Sequence, residues 1–554
     1  MRNVSTFGSF TTARLGIYAA QKGLEVTGNN MTNINTTGYT RQRLDQMSFV
    51  SGGPDYYSVP MGTKVGNGVI TTGVSQLRDP FLDIAYRNAN TNVGQADTKL
   101  AWLEQVADVL DEVGKGSDDN GLLYKQMQDV IDAVNQMITE GAGHQEYDAL
   151  VRTAAQGLTD LFNTYAKGLE QKKEHLETSL KQDVETVNGL LKNIQELNDS
   201  IRKADVRGDS ALELRDQRNL ALDELSNYMK INVSYEMEDV GSGTMVEKLV
   251  VTLANENGPG HEHALVNGKY VTQLEINNAP GYQIGPTALK DRNGNIDPNH
   301  GNGFWLNEGD LLGSLQASRD MLNGKGEFAS KADIKADPNA TTKRGIPYYQ
   351  KSLDLLANKF AQVMNDANRP TDKSDPAGQN KLGGILFSNS SDGNEIDNIT
   401  AANISISKAW STGATQLQCS ADSKAPASAT DNLAHILAEL TGKGHKFMPE
   451  EVQKNPRPDN TTDPLFTGSF QDMFLNIQGV LGNDIKNTAV VLNSYATTLD
   501  EVYVDRDSIS GVDLNEEATN MMQYQKAYSA ACRLMTTLDQ ALDKLINGTG
   551  VVGL

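Results

Sequence analysis

Both ends of this chain carry apolar or small residues at helical 3,4 spacing, and that pairing of ends constrains the fold more than any other feature. Near the start the stripe is Phe10, Ala13, Ile17, Ala20, Leu24, Thr27 and Met31; near the end it is Met521, Tyr524, Tyr528, Ala531, Met535, Leu538, Leu542 and Leu545. Such spacing lines one face of a helix and calls for a partner helix. Within one domain a stripe of this kind is usually core. A helix of about 30 residues is about 45 Å long, however, more than a compact core covers. Stripes at both termini therefore predict that the ends pair with each other, that the middle of the chain loops out, and that other chains cover what remains.

The N-terminal stripe runs into TGNNMTNINTTGYTRQ, residues 27–42. Asn29, Asn30, Asn33 and Asn35 compete for backbone hydrogen bonds, and Gly38 accepts conformations other residues resist, so the helix is expected to end in a joint that closes on Tyr39. A second helix follows QLRDPFLD, with Leu82, Tyr86, Ala89, Val93, Ala96, Leu100, Leu103, Ala107 and Leu110 on one face. Helical sequence continues through 121–171 and 187–201, turns at RGDS and runs on to about Met229. The period then changes to two: Ile231, Val233, Tyr235 and Met237 alternate with polar residues, as do KLVVTL and KYVTQLEI, which predicts strands. Leu353, Leu356, Phe360 and Val363 mark another helix. Residues 371–460 are rich in Pro, Ser, Asn and Asp and predict an exposed, loop-rich domain. Helical spacing returns from Phe474 to Val502, and Asp513, three before Glu516, offers a capping box for the last helix.

The predicted fold is mainly α with inserted β-rich domains, elongated and multidomain, its N- and C-terminal helices paired in a coiled-coil-like terminal domain. The expected divisions are 1–45, an axial helix and joint; 46–230, long helices; 231–345, β-rich; 346–370, a helix; 371–460, loop-rich; 461–512, a returning helix; and 513–554, the C-terminal helix.

With 49 Lys and Arg against 71 Asp and Glu, the net charge is −22 and no basic run occurs, which argues against nucleic acid as a partner. No apolar run approaches the roughly 20 residues of a membrane span, so no membrane partner is expected. The first thirty residues lack the layout of a cleaved secretory signal. Two cysteines, Cys419 and Cys532, do not make a disulfide framework.

Reactive constellations are sparse. His261 and His263 would share a strand face, but no further ligand stands at metal spacing. Asp291, Asn293, Asn295 and Asp297 occupy odd positions of a calcium-type loop, yet Ile296 and Asn302 stand where that loop needs glycine and glutamate. Nucleotide, hydrolase and zinc-protease motifs are absent, and Cys532, beside Ala531, has the setting of a packing residue. Neither an enzyme nor a cofactor or metal site is expected.

NNMTNINTTGYTRQ resembles the N-terminal signature of bacterial flagellar axial proteins, and SGVDLNEEATNMMQYQKAYSAACRLMTTLDQALDKLIN resembles their C-terminal signature. GVSQLRDPFLDIAYR, LELRDQRNLALDELSNYMKINV, GDLLGSLQASRDML and LDLLANKFAQVMND are similar to the hook-associated protein 1 family. The resemblance implies a structural adaptor of the extracellular flagellum at the hook–filament junction, exported unfolded by the flagellar type III apparatus. The terminal helices are expected to polymerise, and because each apolar stripe lacks a partner in the free monomer, both ends are expected to order only on assembly. Implied partners are copies of itself, the hook subunit, the second junction protein and an export chaperone. A hook or rod subunit is the alternative within the class, and a secreted surface adhesin the alternative outside it.

Overall fold

The structure is a computed structural model that describes residues 6–49, 68–110, 121–141, 144–241, 244–254, 263–277, 281–298, 303, 305–306, 310–375, 379–390, 395–449 and 464–548. The helices are α1 (Thr6–Thr32), α2 (Pro80–Leu110), α3 (Leu122–Glu140), α4 (Gln145–Val206), α5 (Leu212–Tyr228), α6 (Gly313–Asn323), α7 (Lys331–Ala336), α8 (Ile346–Ala367), α9 (Lys408–Ser411), α10 (Asp431–Thr441), α11 (Phe470–Ser510) and α12 (Leu514–Gly548). Strands β1 (Gln42–Ser48) and β2 (Val69–Gln76) form an antiparallel pair that packs on α1. Strands β3 (Ile231–Asp239), β4 (Met245–Leu253), β5 (His263–Asn267) and β6 (Tyr270–Val271) form an antiparallel sheet in sequential order, and β7 (Leu274–Asn277) pairs with β8 (Gln283–Pro286). Two short pairs complete the set: β9 (Phe387–Ser388) with β10 (Ser405–Ile406), and β11 (His445–Phe447) with β12 (Phe466–Gly468).

The 62 residues of α4 form the spine, about 93 Å at 1.5 Å per residue. Its core face repeats Val151, Ala155, Leu158, Phe162, Tyr165 and Leu169, then Leu176, Leu180, Val184, Val187, Leu191 and Ile194, all buried. One apolar cluster runs from α2 and α3 along α4 to the sheet and on to α8 and α11. α2 and α11 pack antiparallel, since Gln478 Nε2 donates to Leu110 O at one end while Arg506 pairs with Asp83 at the other. The accessible surface, 29291 Å², exceeds the roughly 19,000 Å² expected of a compact chain of 60.1 kDa. The molecule is elongated, as its helix lengths require.

Three expectations change. Residues 42–48 and 69–76, placed with the axial joint and the long helices, are strands. They lack apolar alternation because little of the hairpin is buried: Gln42 and Leu44 are covered, and the other positions are half-buried or exposed. The strands of the β-rich stretch end at Pro286, and 313–336 is largely helical; α6 is buried on nearly every side, a setting in which 3,4 periodicity fades. The described part of 371–460 is loop-rich but anchored rather than set apart: Leu386, Phe387, Ile404, Trp410, Leu433 and Ile436 are buried in the common cluster. Proline and asparagine there shape turns around apolar anchors. The NPRPDNTTDP segment lies largely outside the described residues.

Candidate functional site: the joint and the terminal helix pair

α1 and α12 pack antiparallel, Gly16 lying against Ala531 and Gly23 against the ring of Tyr524, where any Cβ on Gly23 would overlap the aromatic carbons. The buried face of α1 is Ala13, Ala20, Gly23, Thr27 and Asn30, with Ala19 also covered. Small residues let the two backbones approach. Ala13 and Ala20 lie buried between the two helices, whereas Phe10, Ile17, Leu24 and Met31 are only half-buried. On α12, Met521, Tyr524, Ala531, Met535, Leu538 and Leu542 are half-buried, and Tyr528 and Leu545 are exposed. Cys532 is a free, half-buried thiol.

The asparagines at the end of α1 fold the chain back. Asn30 is buried; its Oδ1 accepts from the Tyr39 hydroxyl at 2.8 Å and from Gln42 N–H at 3.0 Å, and its Nδ2 donates to Gln42 O at 2.9 Å. One amide thereby acts as a strand partner for Gln42. Asn33 Nδ2 donates to Asn29 Oδ1 at 2.9 Å, Asn29 Nδ2 reaches Gln42 Oε1 at 3.4 Å, and Asn35 is exposed in the turn. Gly38 adopts φ +79°, the left-handed region that favours glycine, with its Cα against Leu220 of α5. Burial, then the charges of Asp216, Glu213 and Glu517, push the Tyr39 hydroxyl well above its ordinary range, so it remains a donor.

Beneath this turn lies a row of alternating charges. Arg78 makes a forked pair with Asp83 (2.6 and 3.0 Å) and donates to Thr40 Oγ1 at 3.3 Å, with Asp216 at 3.8 Å. Asp223 accepts from Arg87 Nε at 2.8 Å and from Arg506 Nη1 at 2.7 Å, and the Arg506 guanidinium lies 3.9 Å from the Tyr86 ring centre. The row binds α2, α5 and α11 together directly under the joint. A cleft of about 650 Å³ opens beside it, lined by Gly38, Tyr39, Arg78, Tyr86, Asp223 and Arg506 among others.

Asp216 accepts from Thr40 N–H at 3.1 Å, but burial outweighs that bond and Arg78 and raises its carboxyl from 3.8 to about 6. The folded state therefore holds this proton more tightly than the unfolded state. The contribution is fully favourable below about pH 4 and is lost as pH rises through about 6, at most about 3 kcal/mol at 1.36 kcal/mol per unit. Urea denaturation of the parent and of Asp216→Asn at pH 4 and pH 7 should show the variant gaining on the parent at the higher pH. An identical stability difference at both pH values would contradict this assignment.

Arg41 closes the joint from the other side. Its Nη1 lies 2.7 Å from Glu516 and its Nε donates to Glu517 at 2.9 Å. Burial works against the Arg41 charge, yet the two glutamates outweigh it and raise its pKa. Asp513 Oδ1 caps α12 through the N–H groups of Asn515 and Glu516, at 2.7 and 3.3 Å. The Glu516 side chain reaches Arg41.

Other candidates resolve otherwise. Asp291 Oδ1 accepts from the N–H groups of Asn293 and Asn295, forming a polar turn, and Asp297 is buried against Asn267. Among the described residues no group of three or more His, Cys, Asp or Glu converges as a metal would need. His261 and Asn302 lie outside the described residues. Among the described residues, no helix is long and apolar enough to cross a membrane.

Residues 107–383, which span α3 to α8, match the family model described as the flagellar hook-associated protein FlgK helical domain. The chain belongs to the FlgK family. Residues 506–548, the last turn of α11 and all of α12, match a second model, flagellar basal body rod FlgEFG protein C-terminal. Over its whole length this FlgK-family chain is 28% identical to flagellar hook-associated protein 1 of Bacillus subtilis, covering 99% of each. It is 23% identical to the protein of that name from Salmonella typhimurium and 24% to that from Escherichia coli, covering 97% of this chain and 98% of each relative. The solved FlgK of Burkholderia pseudomallei superposes with TM-score 0.52 at 12% identity, over 77% of this chain and all of that one, which shows a shared fold.

Sequence reasoning missed Gly16 and Gly23, the charge row and the Arg41 contacts. The signal was present in part. Arg41 and Glu516–Glu517 lie inside the two terminal signatures, but nothing in the sequence pairs residues 476 positions apart.

Proposed function

We propose that this FlgK-family chain is the structural adaptor of the hook–filament junction, leaving the cell unfolded through the flagellar export apparatus and polymerising through α1 and α12. The observation that carries this reading is the state of α12. With α1 already in place, Glu517 is its sole buried residue, while Leu545 and Ile546 remain 59% and 65% exposed and Tyr528 and Leu534 are also exposed. A helix so thinly covered lacks most of the tertiary packing from which helices in proteins draw their stability. Neighbouring copies, and the hook subunit and second junction protein at either face of the ring, supply the missing cover. An export chaperone that masks the same stripe would prevent early association.

The joint suits this role because subunits meeting two kinds of neighbour need their terminal pair held firmly to the body at one short segment. The match of α12 to the rod C-terminal model is common ground with rod and hook subunits; the helical-domain match over 107–383 favours the junction.

Amide exchange on the purified monomer and on the assembled form tests the polymerisation step. Residues 10–31 and 521–545 should exchange within seconds to minutes in the monomer and become protected on assembly. Full protection in the monomer would contradict it.

A further inference from the structure

Four connections meet at Arg41. Its backbone N–H donates to Ser510 O, the last residue of α11, at 2.8 Å; its carbonyl accepts from Leu77 N–H, between β2 and α2, at 2.9 Å. The next residue starts β1, and its guanidinium bridges to Glu516 and Glu517 in the first turn of α12. The Glu517 carboxylate is 3% exposed and the Arg41 side chain 19%. Both residues line a cleft of about 490 Å³ between α1, β1 and α12, so the start of α12 is not seated on a continuous apolar surface there. Among the described residues α12 packs chiefly along α1, and this two-pronged ion pair ties its first turn to the joint.

We infer that Arg41 is the positioning residue that sets the direction and rotational register in which α12, and with it the terminal helix pair, leaves the body. The neighbouring asparagine turn fixes the end of α1, and α12 follows α11 after only Gly511, Val512 and Asp513, so the Arg41 pair stands where α12 leaves the body. A paired, partly desolvated guanidinium with two fixed acceptors is directional in a way that a point charge is not. Glu516 is 60% exposed at its side chain and serves as the weaker partner.

The inference rests on the junction reading, because its readout is the joining of filaments to hooks. Full-length Arg41→Ala, Arg41→Lys, Glu516→Gln and Glu517→Gln are expressed in cells lacking the native copy, and filament-bearing hooks are counted relative to exported protein. Arg41→Ala and Glu517→Gln should reduce that ratio about tenfold. Glu516→Gln should reduce it less, and Arg41→Lys should rescue it only in part. The main thermal transition of each purified variant should stay within about 2 °C of the parent, since the body does not depend on this contact. Should export itself fall, the same purified variants added to bare hooks from outside read the same ratio. Filaments at parental level in Arg41→Ala, or a fall of the main transition in step with the filament loss, would overturn the inference. Its failure is distinct from failure of the junction reading, which would show as normal filaments in cells with no copy at all.

Discussion

Trp410→Ala lowers the stability of the body by about 3–5 kcal/mol, one of the two largest effects expected of a single substitution here. Trp410 is fully buried in a segment with little regular structure. Its ring stands edge-on to Phe387 at 5.6 Å, Phe387 to Phe360 at 5.3 Å, and Phe360 to Phe470 at 5.4 Å, a chain of aromatics linking the loop-rich stretch to α8 and α11. Its Nε1–H donates to Asp148 Oδ1 at 3.3 Å, an oxygen that also accepts from Leu417 N–H at 2.8 Å, and Arg152 Nη1 donates to the Trp410 carbonyl at 2.7 Å. Truncation leaves a cavity and removes one donor from a buried carboxylate. Trp410→Phe keeps most of the packing and loses that donor, for about 1–2 kcal/mol. Urea unfolding monitored by circular dichroism measures both. A loss below about 1 kcal/mol for the alanine variant would mean that the loop-rich stretch is only draped on the helices.

Asp223→Ala should cost a similar amount, about 3–5 kcal/mol, for an electrostatic reason. Asp223 is the shared acceptor of Arg87 and Arg506, whose side chains are 5% and 17% exposed. Removing the shared acceptor strands the buried Arg87 guanidinium, which cannot rehydrate, and leaves Arg506 only the longer contact to Asp83 at 3.7 Å. Arg87 Nη2 already lacks a partner among the described residues, so no spare contact compensates. Arg506→Ala should cost less, because Asp223 then keeps Arg87 and the vacated space borders the open cleft. Comparing the two variants by denaturant midpoints checks the order; equal small losses would show that solvent screens the row.

The terminal stripes were legible because helical spacing survives wherever a long helix buries one face, and α2, α4, α8 and α11 follow the same logic. What spacing could not reveal was which part of a stripe meets the partner. Phe10 and Leu24 are the bulkier residues, yet glycine and alanine at 13, 16, 20 and 23 make the close approach and leave the larger side chains at the flanks. The joint was legible in kind, from its asparagines and Gly38, but not in mechanism. Asn30 serves as a backbone surrogate for Gln42, a role that depends on where the chain returns. The charge row escaped altogether, since Asp83, Asp216, Asp223 and Arg506 read as ordinary polar positions until three helices converge. The described part of 371–460 misled because composition reports turns faithfully and burial poorly. A few anchors such as Phe387 and Trp410 suffice to draw a polar segment into the core.

Electron microscopy of cells lacking this chain, with flagellin assayed in the medium, shows whether it joins filament to hook. Complete hooks without filaments, and flagellin lost to the medium, are expected. Missing hooks, or filaments of normal number and length, would contradict that role.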